Sequence, residues 1–225
     1  MKNLTLVIPA KNEGYSLPKV LEEIKNIDCK KLIVLSKTDI ETIRSIKNFN
    51  CMILKQKKIG YGHALIEGIN KVSTRYLCIF NADGSFDPKY LRIMLKRIKL
   101  NKSFVFASRY IQGGGSADDS LLTLIGNKIF TLLSKILFKL KISDILFTYI
   151  MGETDKFKKL KLYNSDFRIC VEIPFKIKIN NFKFSSIASF ERKRLGGVKK
   201  VNEFKDGFLI LLEIIKNYFS LYEKK

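Results

Sequence analysis

Tryptophan is absent from the 225 residues, histidine occurs once, and proline and cysteine occur four times each. The lone histidine, His63, opens a Gly-x-Gly-x-Ala segment. It suits capping or packing, and no Ser–His–Asp arrangement can be built around it. Cys29, Cys51, Cys78 and Cys170 include no C-x-x-C pair, and three of them stand in apolar, strand-like runs. That pattern favours reduced structural thiols and a cytosolic setting over a disulfide framework. No Ser/Pro/Gly-rich linker divides the chain, so a single domain over 1–225 is expected. The opening MKNLTLVIPAKNE lacks the apolar core of a secretory signal. No uncharged apolar run nears the roughly 18–20 residues of a membrane span, so an integral protein is not expected.

Acidic residues are also scarce. Lys and Arg number 42 against 21 Asp and Glu, for a formal charge of +21. Such an excess attracts polyanions, whether nucleic acid, an anionic membrane surface or phosphorylated substrates. Apolar residues make up 46% of the chain, which excludes the low hydrophobicity of a disordered polymer.

The first half alternates between strand-like and helix-like segments. Strands are expected at Leu4–Ile8, Lys31–Leu35, Cys51–Leu54, Tyr76–Phe80 and Phe104–Ala107. Helices are expected at Leu17–Ile27, Thr38–Ile46, Gly62–Val72 and Pro88–Leu100, the last with proline in its first turn. This order predicts an α/β fold: a mostly parallel central sheet with helices on both faces. Ligands of such sheets sit beyond the carboxyl ends of the strands. The second half is less regular. Helices are expected at Leu121–Ile142, Phe167–Ile179 and Glu203–Tyr222, with a strand at Phe184–Phe190.

Three loops therefore matter most. The loop after the first strand is Pro9-Ala10-Lys11-Asn12-Glu13-Gly14, which offers a carboxylate and amides or simply starts a helix. The loop after the fourth strand is Asn81-Ala82-Asp83-Gly84-Ser85-Phe86-Asp87-Pro88. A strand that stops at an aspartate suits a divalent cation held against a diphosphate, although D-G-x-x-D is also ordinary turn chemistry. The loop after the fifth strand runs from Ser108-Arg109-Tyr110 through Gly113-Gly114-Gly115 to Asp118-Asp119. Its glycines permit close backbone approach, and Arg109 has the planar fork that suits a phosphate.

In order, Pro9-x-x-Asn12-Glu13, Gly60-x-Gly62-x-Ala64-Leu65-x-x-Gly68, Asn81-Ala82-Asp83 and Ser108-Arg109-Tyr110 resemble family 2 glycosyltransferases. The dolichol-phosphate mannose synthase branch is the nearest in pattern. Ser143-Asp144 to Tyr149, Glu172, and Glu191-x-x-Arg194-x-x-Gly197-x-Lys199 with Asp206-Gly207 continue the match over about 1–215. The resemblance implies a GT-A fold, with a nucleotide-sugar-binding half at 1–110 and an acceptor- and membrane-facing half at 111–225. It also implies a UDP- or GDP-sugar donor and a divalent cation, Mg²⁺ or Mn²⁺. Carried over by position, Pro9, Lys11 and Glu13 lie along the nucleoside, and Asp39 joins that set. Asp83 holds the metal with Asn81 beside it, and Arg109, Arg194 and Lys199 face the phosphates. The chain departs from the family pattern in five places. Ser36-Lys37-Thr38-Asp39 replaces an acidic pair, Asn81 stands for an aspartate, Thr148 for a glycine and Ile150 for an arginine. An arginine common in the helix after the glycines is missing, since Leu121 to Ile125 holds none.

The implied reaction moves a sugar, with inversion, to a polyprenyl phosphate or a cell-surface glycan precursor. A phosphate acceptor is already an anion and needs no base. A hydroxyl acceptor needs one, for which Asp118 and Asp119 rank first and Glu153 next. The departures keep open a catalytically silent sugar-nucleotide-binding subunit of an envelope glycan assembly complex. A nucleic-acid binder has only the charge in its favour and is not expected. The Gly-rich signature of a sugar nucleotidyltransferase is absent from the first loop. Ile125–Ile142 is apolar around a stripe of Lys128, Lys135 and Lys139. That suits a basic helix on an anionic membrane surface, or a packed helix with snorkelling lysines. The expected location is cytoplasmic, peripheral to the cytoplasmic membrane face.

Overall fold

The computed structural model describes residues 1–100, 102–196 and 200–222. Its centre is a seven-stranded sheet made of β1 (Leu4–Pro9), β2 (Lys30–Ser36), β3 (Met52–Gln56), β4 (Tyr76–Ile79), β5 (Phe104–Ser108), β7 (Ile150–Glu153) and β8 (Phe184–Ala188). The spatial order is β3-β2-β1-β4-β7-β5-β8. Every pairing is parallel except those of β7, which runs antiparallel between β4 and β5. A two-stranded parallel ribbon joins β6 (Gly115–Ser116) to β9 (Phe190–Glu191).

The inner strands β1, β2, β4 and β5 are mostly apolar and buried because both faces are covered, whereas the edge strands β3 and β8 carry polar, half-exposed residues. Val7, Val34, Leu77 and Phe106 point into one apolar layer with α3 (Tyr61–Lys71) and α7 (Ile169–Ile179). Leu6, Ile8, Ile33 and Val105 point into the other, with α1 (Ser16–Glu23) and α4 (Tyr90–Lys99). α4 shows the cause in miniature: Leu91, Met94 and Ile98 recur at helical spacing and are its buried residues. α2 (Ile40–Ser45) and α6 (Thr154–Lys159) are short connectors.

The strand β7 has no counterpart in the sequence reading. It is four residues long and shows no alternation. Gly152 is required there because a Cβ would lie 2.5 Å from a ring carbon of Phe104 and 2.7 Å from one of Phe157. Its reversed direction corrects the candidacy of Glu153 as a base. Glu153 pairs in register with Tyr76, the first residue of β4, so it lies at the amino end of the parallel strands. It forms an ion pair there with Lys156 at 3.1 Å. The helix expected to reach Ile142 also ends sooner. α5 (Leu121–Phe138) stops at Lys139, whose φ of 52° is left-handed, and Leu140 and Ile142 turn back into the core.

The Gly60-to-Gly68 pattern has a packing explanation. A Cβ at Gly62 would lie 2.1 Å from the Asn164 carbonyl oxygen, and one at Gly68 would lie 2.5 Å from a Val7 methyl. Both glycines let α3 lie close against its neighbours. We therefore expect Gly68→Ala to destabilise the fold by about 1–3 kcal/mol through overpacking. Gly126 on α5 has nothing within 4 Å of its missing Cβ. Gly126→Ala should stabilise by roughly 0.5–1 kcal/mol from helix propensity alone. Urea denaturation of the two variants checks both signs.

The four cysteines are free thiols. Cys78 and Cys170 are buried, and burial pushes the Cys170 thiol up to about 12.

Candidate active site

At the carboxyl edge of the sheet, the first loop is tied to the second. Asn12, at a φ of 55°, donates its backbone N–H to Asp39 Oδ2 at 2.7 Å. Glu13 N–H donates to Thr42 Oγ1 at 2.9 Å. Asp39 also caps α2 by accepting from Thr42 N–H. Asp39 thus clamps the loop that carries Lys11 and Glu13. Glu13 is 5% exposed and is held by the Ser16 hydroxyl and by Lys200 Nζ. Pro9 ends β1, and Lys11 is exposed beside it.

The third side of this edge is the loop after β4. Asp83 Oδ1 accepts from Ser85 N–H at 2.9 Å, and the Asp83 carbonyl accepts from Leu195 N–H at 2.8 Å. Asn81 is committed to the loop itself: its amide donates to the Ser85 hydroxyl and its oxygen accepts from Phe86 N–H. Asn81 therefore shapes the turn, and Asp83 supplies the charge. Gly84, at a φ of 85°, lets Leu195 lie against the turn; a Cβ there would come within 2.6 Å of it. Arg192 straps the same loop by donating to the carbonyls of Gly84 and Phe86 and to both oxygens of Glu23. Its contribution was not legible in the sequence, because it acts on backbone oxygens that no motif marks.

Sequence position suggested that Arg109 faces a phosphate, but the structure turns it inward. Its Nε and Nη2 grip the two oxygens of Asp144 at 2.8 and 3.0 Å. Its Nη1 reaches Asp119 at 3.0 Å and Glu191 at 2.9 Å. Burial works against the guanidinium charge, but Asp144 and then Glu191 outweigh it and raise the pKa. Around this cation, Asn127 of α5 donates to Asp144, the Tyr110 hydroxyl to Asp119, and the Ser116 hydroxyl to Glu191. Arg109 and Asp119 therefore belong to a buried framework behind the site.

Arg194 keeps the more open position. It donates through Nε and Nη2 to the two oxygens of Asp118, and that pairing chiefly raises its pKa, with Asp83 and Glu191 contributing. The structure thus gathers Glu13, Asp39, Asp83, Asp118 and Arg194 at one edge of the sheet, with Lys200 over Glu13. Lys199 lies outside the described residues.

The family model of glycosyl transferase family 2 matches residues 5–161, more than half of the sequence. The chain belongs to that family. Solved structures agree on the fold of this family 2 glycosyltransferase. Glucosyl-3-phosphoglycerate synthase of Mycobacterium tuberculosis, in complex with phosphoglyceric acid, superposes with a TM-score of 0.76 at 11% identity, over 95% of this chain and 79% of that one. The same enzyme with Mn²⁺, uridine diphosphate and glucosyl-3-phosphoglycerate gives 0.75 at 11% identity, over 95% and 79%. A further mycobacterial protein gives 0.74 at 9% identity, over 95% and 74%. The sheet flanked by helices is the GT-A architecture that the motifs implied.

Proposed function

We propose that this glycosyltransferase moves a sugar from a nucleoside diphosphate to a polyprenyl phosphate, with inversion and with the help of a divalent cation. The observation that carries the acceptor class is the state of Asp118 and Asp119. Each is already held by an arginine, Asp118 by Arg194 and Asp119 by Arg109. Carboxylates committed in this way favour an acceptor that arrives as an anion and gives up no proton. A phosphate oxygen of the acceptor forms the new bond to the anomeric carbon. The bond from that carbon to the diphosphate breaks, and the electron pair leaves with the diphosphate. The work left to the protein is positioning and charge stabilisation.

The residues fit a cation of the kind that shares its shell with phosphate. Asp83 lies half-buried in the loop after β4, with Oδ1 fixed by Ser85 N–H. Among the described residues no cluster of three or more His, Cys, Asp or Glu could hold an ion alone. Mg²⁺-type ions need only one or two carboxylates when phosphate oxygens and water complete the shell. Asp83 would hold the ion, which would supply positive charge to the departing diphosphate. Arg194, paired with Asp118 beside it, lies where phosphate oxygens would arrive. Lys11 and the Asp39-clamped first loop would receive the nucleoside.

The dependence on both partners is testable. Mn²⁺ alone should leave the melting temperature unchanged, because one carboxylate binds it weakly. A panel of UDP-, GDP-, CMP- and dTDP-sugars with Mn²⁺ should single out one base. At a donor concentration of about a hundredfold over Kd, the melting temperature should rise by roughly 5–10 °C. Transfer of labelled sugar from that donor to a polyprenyl phosphate then completes the test. A shift without transfer to any acceptor would identify a silent sugar-nucleotide-binding subunit, which the Ser36-Lys37 and Asn81 departures make the rival reading. No shift with any donor would overturn both readings.

A further inference from the structure

α5 is an inverted amphipathic helix. Its buried residues include Asn127, Thr131 and Ser134, while Leu121, Leu122, Ile125, Ile129, Leu132 and Ile136 are exposed. Leu121 is 73% exposed and Ile136 65%. The polar inner face is anchored, since Asn127 donates to Asp144 at 2.7 Å and Thr131 Oγ1 accepts from Ile145 N–H at 3.2 Å. α8 (Glu203–Tyr222) packs against α5 and repeats the inversion. Glu213 and Asn217 are buried, whereas Phe204, Phe208, Leu212, Ile215 and Phe219 point outward. Phe204 is 79% exposed.

A face of this kind needs a cover. Its charge decides which. Every exposed position on the two helices is either apolar or lysine, among the described residues. The lysines are Lys128 and Lys135 on α5 and Lys205 and Lys216 on α8, and Lys139 follows at the end of α5. A second copy of the chain docking by a two-fold axis would set this patch against itself, its lysines facing lysines with only the half-exposed Glu203 and Asp206 at the start of α8 to oppose them. An anionic lipid surface offers hydrocarbon for the leucines and phenylalanines and phosphate for the lysines. α5 is long and apolar enough to cross a bilayer by length and composition. Its anchored polar face instead keeps it on the domain, lying flat.

We propose that the α5–α8 face docks on an anionic membrane, side chains inserted and helices in the plane of the interface. The docking stands independently of the transfer reaction. It also has a consequence for that reaction: α5 begins at Leu121, two residues after Asp119 and three after the Arg194-paired Asp118, so the acceptor side of the site opens beside the lipid surface.

The test uses the full chain and vesicles of phosphatidylcholine, alone or mixed with phosphatidylglycerol. The protein should sediment with the mixed vesicles at low salt and much less with phosphatidylcholine alone. Lys128→Gln, Lys135→Gln and Lys139→Gln together should weaken binding on the order of a hundredfold, at roughly fivefold per lysine. These side chains lie outside the core, and an unchanged melting temperature confirms that the variant folds. The chain has no tryptophan, so single substitutions report position cleanly. Phe208→Trp and Ile136→Trp should shift their emission to the blue on vesicles, while Ile59→Trp, in the loop before α3, should not. Equal binding to both vesicle types, or indifference to the lysines, would overturn the proposal. So would a protein that stays in solution as a dimer and becomes monomeric on Leu132→Asp, which would assign the face to a second copy.

Discussion

Replacing Arg109 with methionine should lower the stability of the protein by about 3–5 kcal/mol, the cost of removing one partner from a buried ion pair. The size follows from what remains. Asp144 is 1% exposed and Glu191 8%, and Asp119 stands beside them. Without the guanidinium, three carboxylates face one another with Asn127, Ser116 and Tyr110 as their remaining side-chain donors. Arg109→Lys should recover only part of the loss, because an ammonium cannot grip both oxygens of Asp144 and still reach Glu191. The pH dependence supplies a sharper test. Burial raises the Glu191 pKa above the usual carboxylate value, with Arg109 opposing that rise. A carboxyl with a raised folded-state pKa takes up its proton more readily when folded, so its contribution to stability falls as pH rises through that pKa. Removing Arg109 enlarges the effect. The deficit of Arg109→Met relative to the unaltered protein should therefore be smaller near pH 5 than near pH 8. Urea denaturation at both values decides it, and a deficit that is flat with pH would mean that Arg109 acts through packing against Phe147 rather than charge.

This framework also shows how far the sequence could be read. Parallel strands with flanking helices were legible because their apolar periods differ and each of the first four strands is followed by a helix. The loops at the carboxyl edge followed from topology, and Asp83 stood out as the first acid after the fourth strand, although that strand already ends at Ile79. The partners of the charged residues were not legible. Arg109 reads as a phosphate ligand or a solvated surface residue, and only the convergence of Asp119 from its own loop with Asp144 and Glu191 from two distant segments turns it inward. β7 escaped because a four-residue strand with a glycine carries no period. Glu153 was misplaced for the same reason, since the polarity of a strand is invisible until its neighbours are known. The outward leucines of α5 are a different case. Periodicity marks a helix with two unlike faces, but it does not say which face turns in. The segment after the helix selects the polar one, because Asn127 and Thr131 complete hydrogen bonds to Asp144 and to the Ile145 backbone.

Asp83→Asn separates charge from shape at the proposed donor site. Asparagine keeps an oxygen to accept from Ser85 N–H, and the Asp83–Leu195 contact is made by the backbone and survives. The melting temperature of the free protein should therefore stay within about 0.5 kcal/mol of the original in stability terms. Transfer should fall on the order of a hundred- to a thousandfold, the usual cost of losing one charge-stabilising group at a reacting centre. The metal-dependent part of the donor-induced thermal shift should disappear with it. Asn81→Asp is the converse variant. Its carboxylate can still accept from Phe86 N–H, and the Ser85 hydroxyl can turn to donate, so the loop holds its shape. A second charge beside Asp83 should then tighten the apparent Mn²⁺ affinity in the presence of nucleotide. If Asp83→Asn lowers the melting temperature of the free protein as much as it lowers activity, Asp83 is a structural residue of the turn. If activity falls while the free protein is unchanged, and Asn81→Asp moves metal affinity the opposite way, the edge of β4 is where the cation meets the diphosphate.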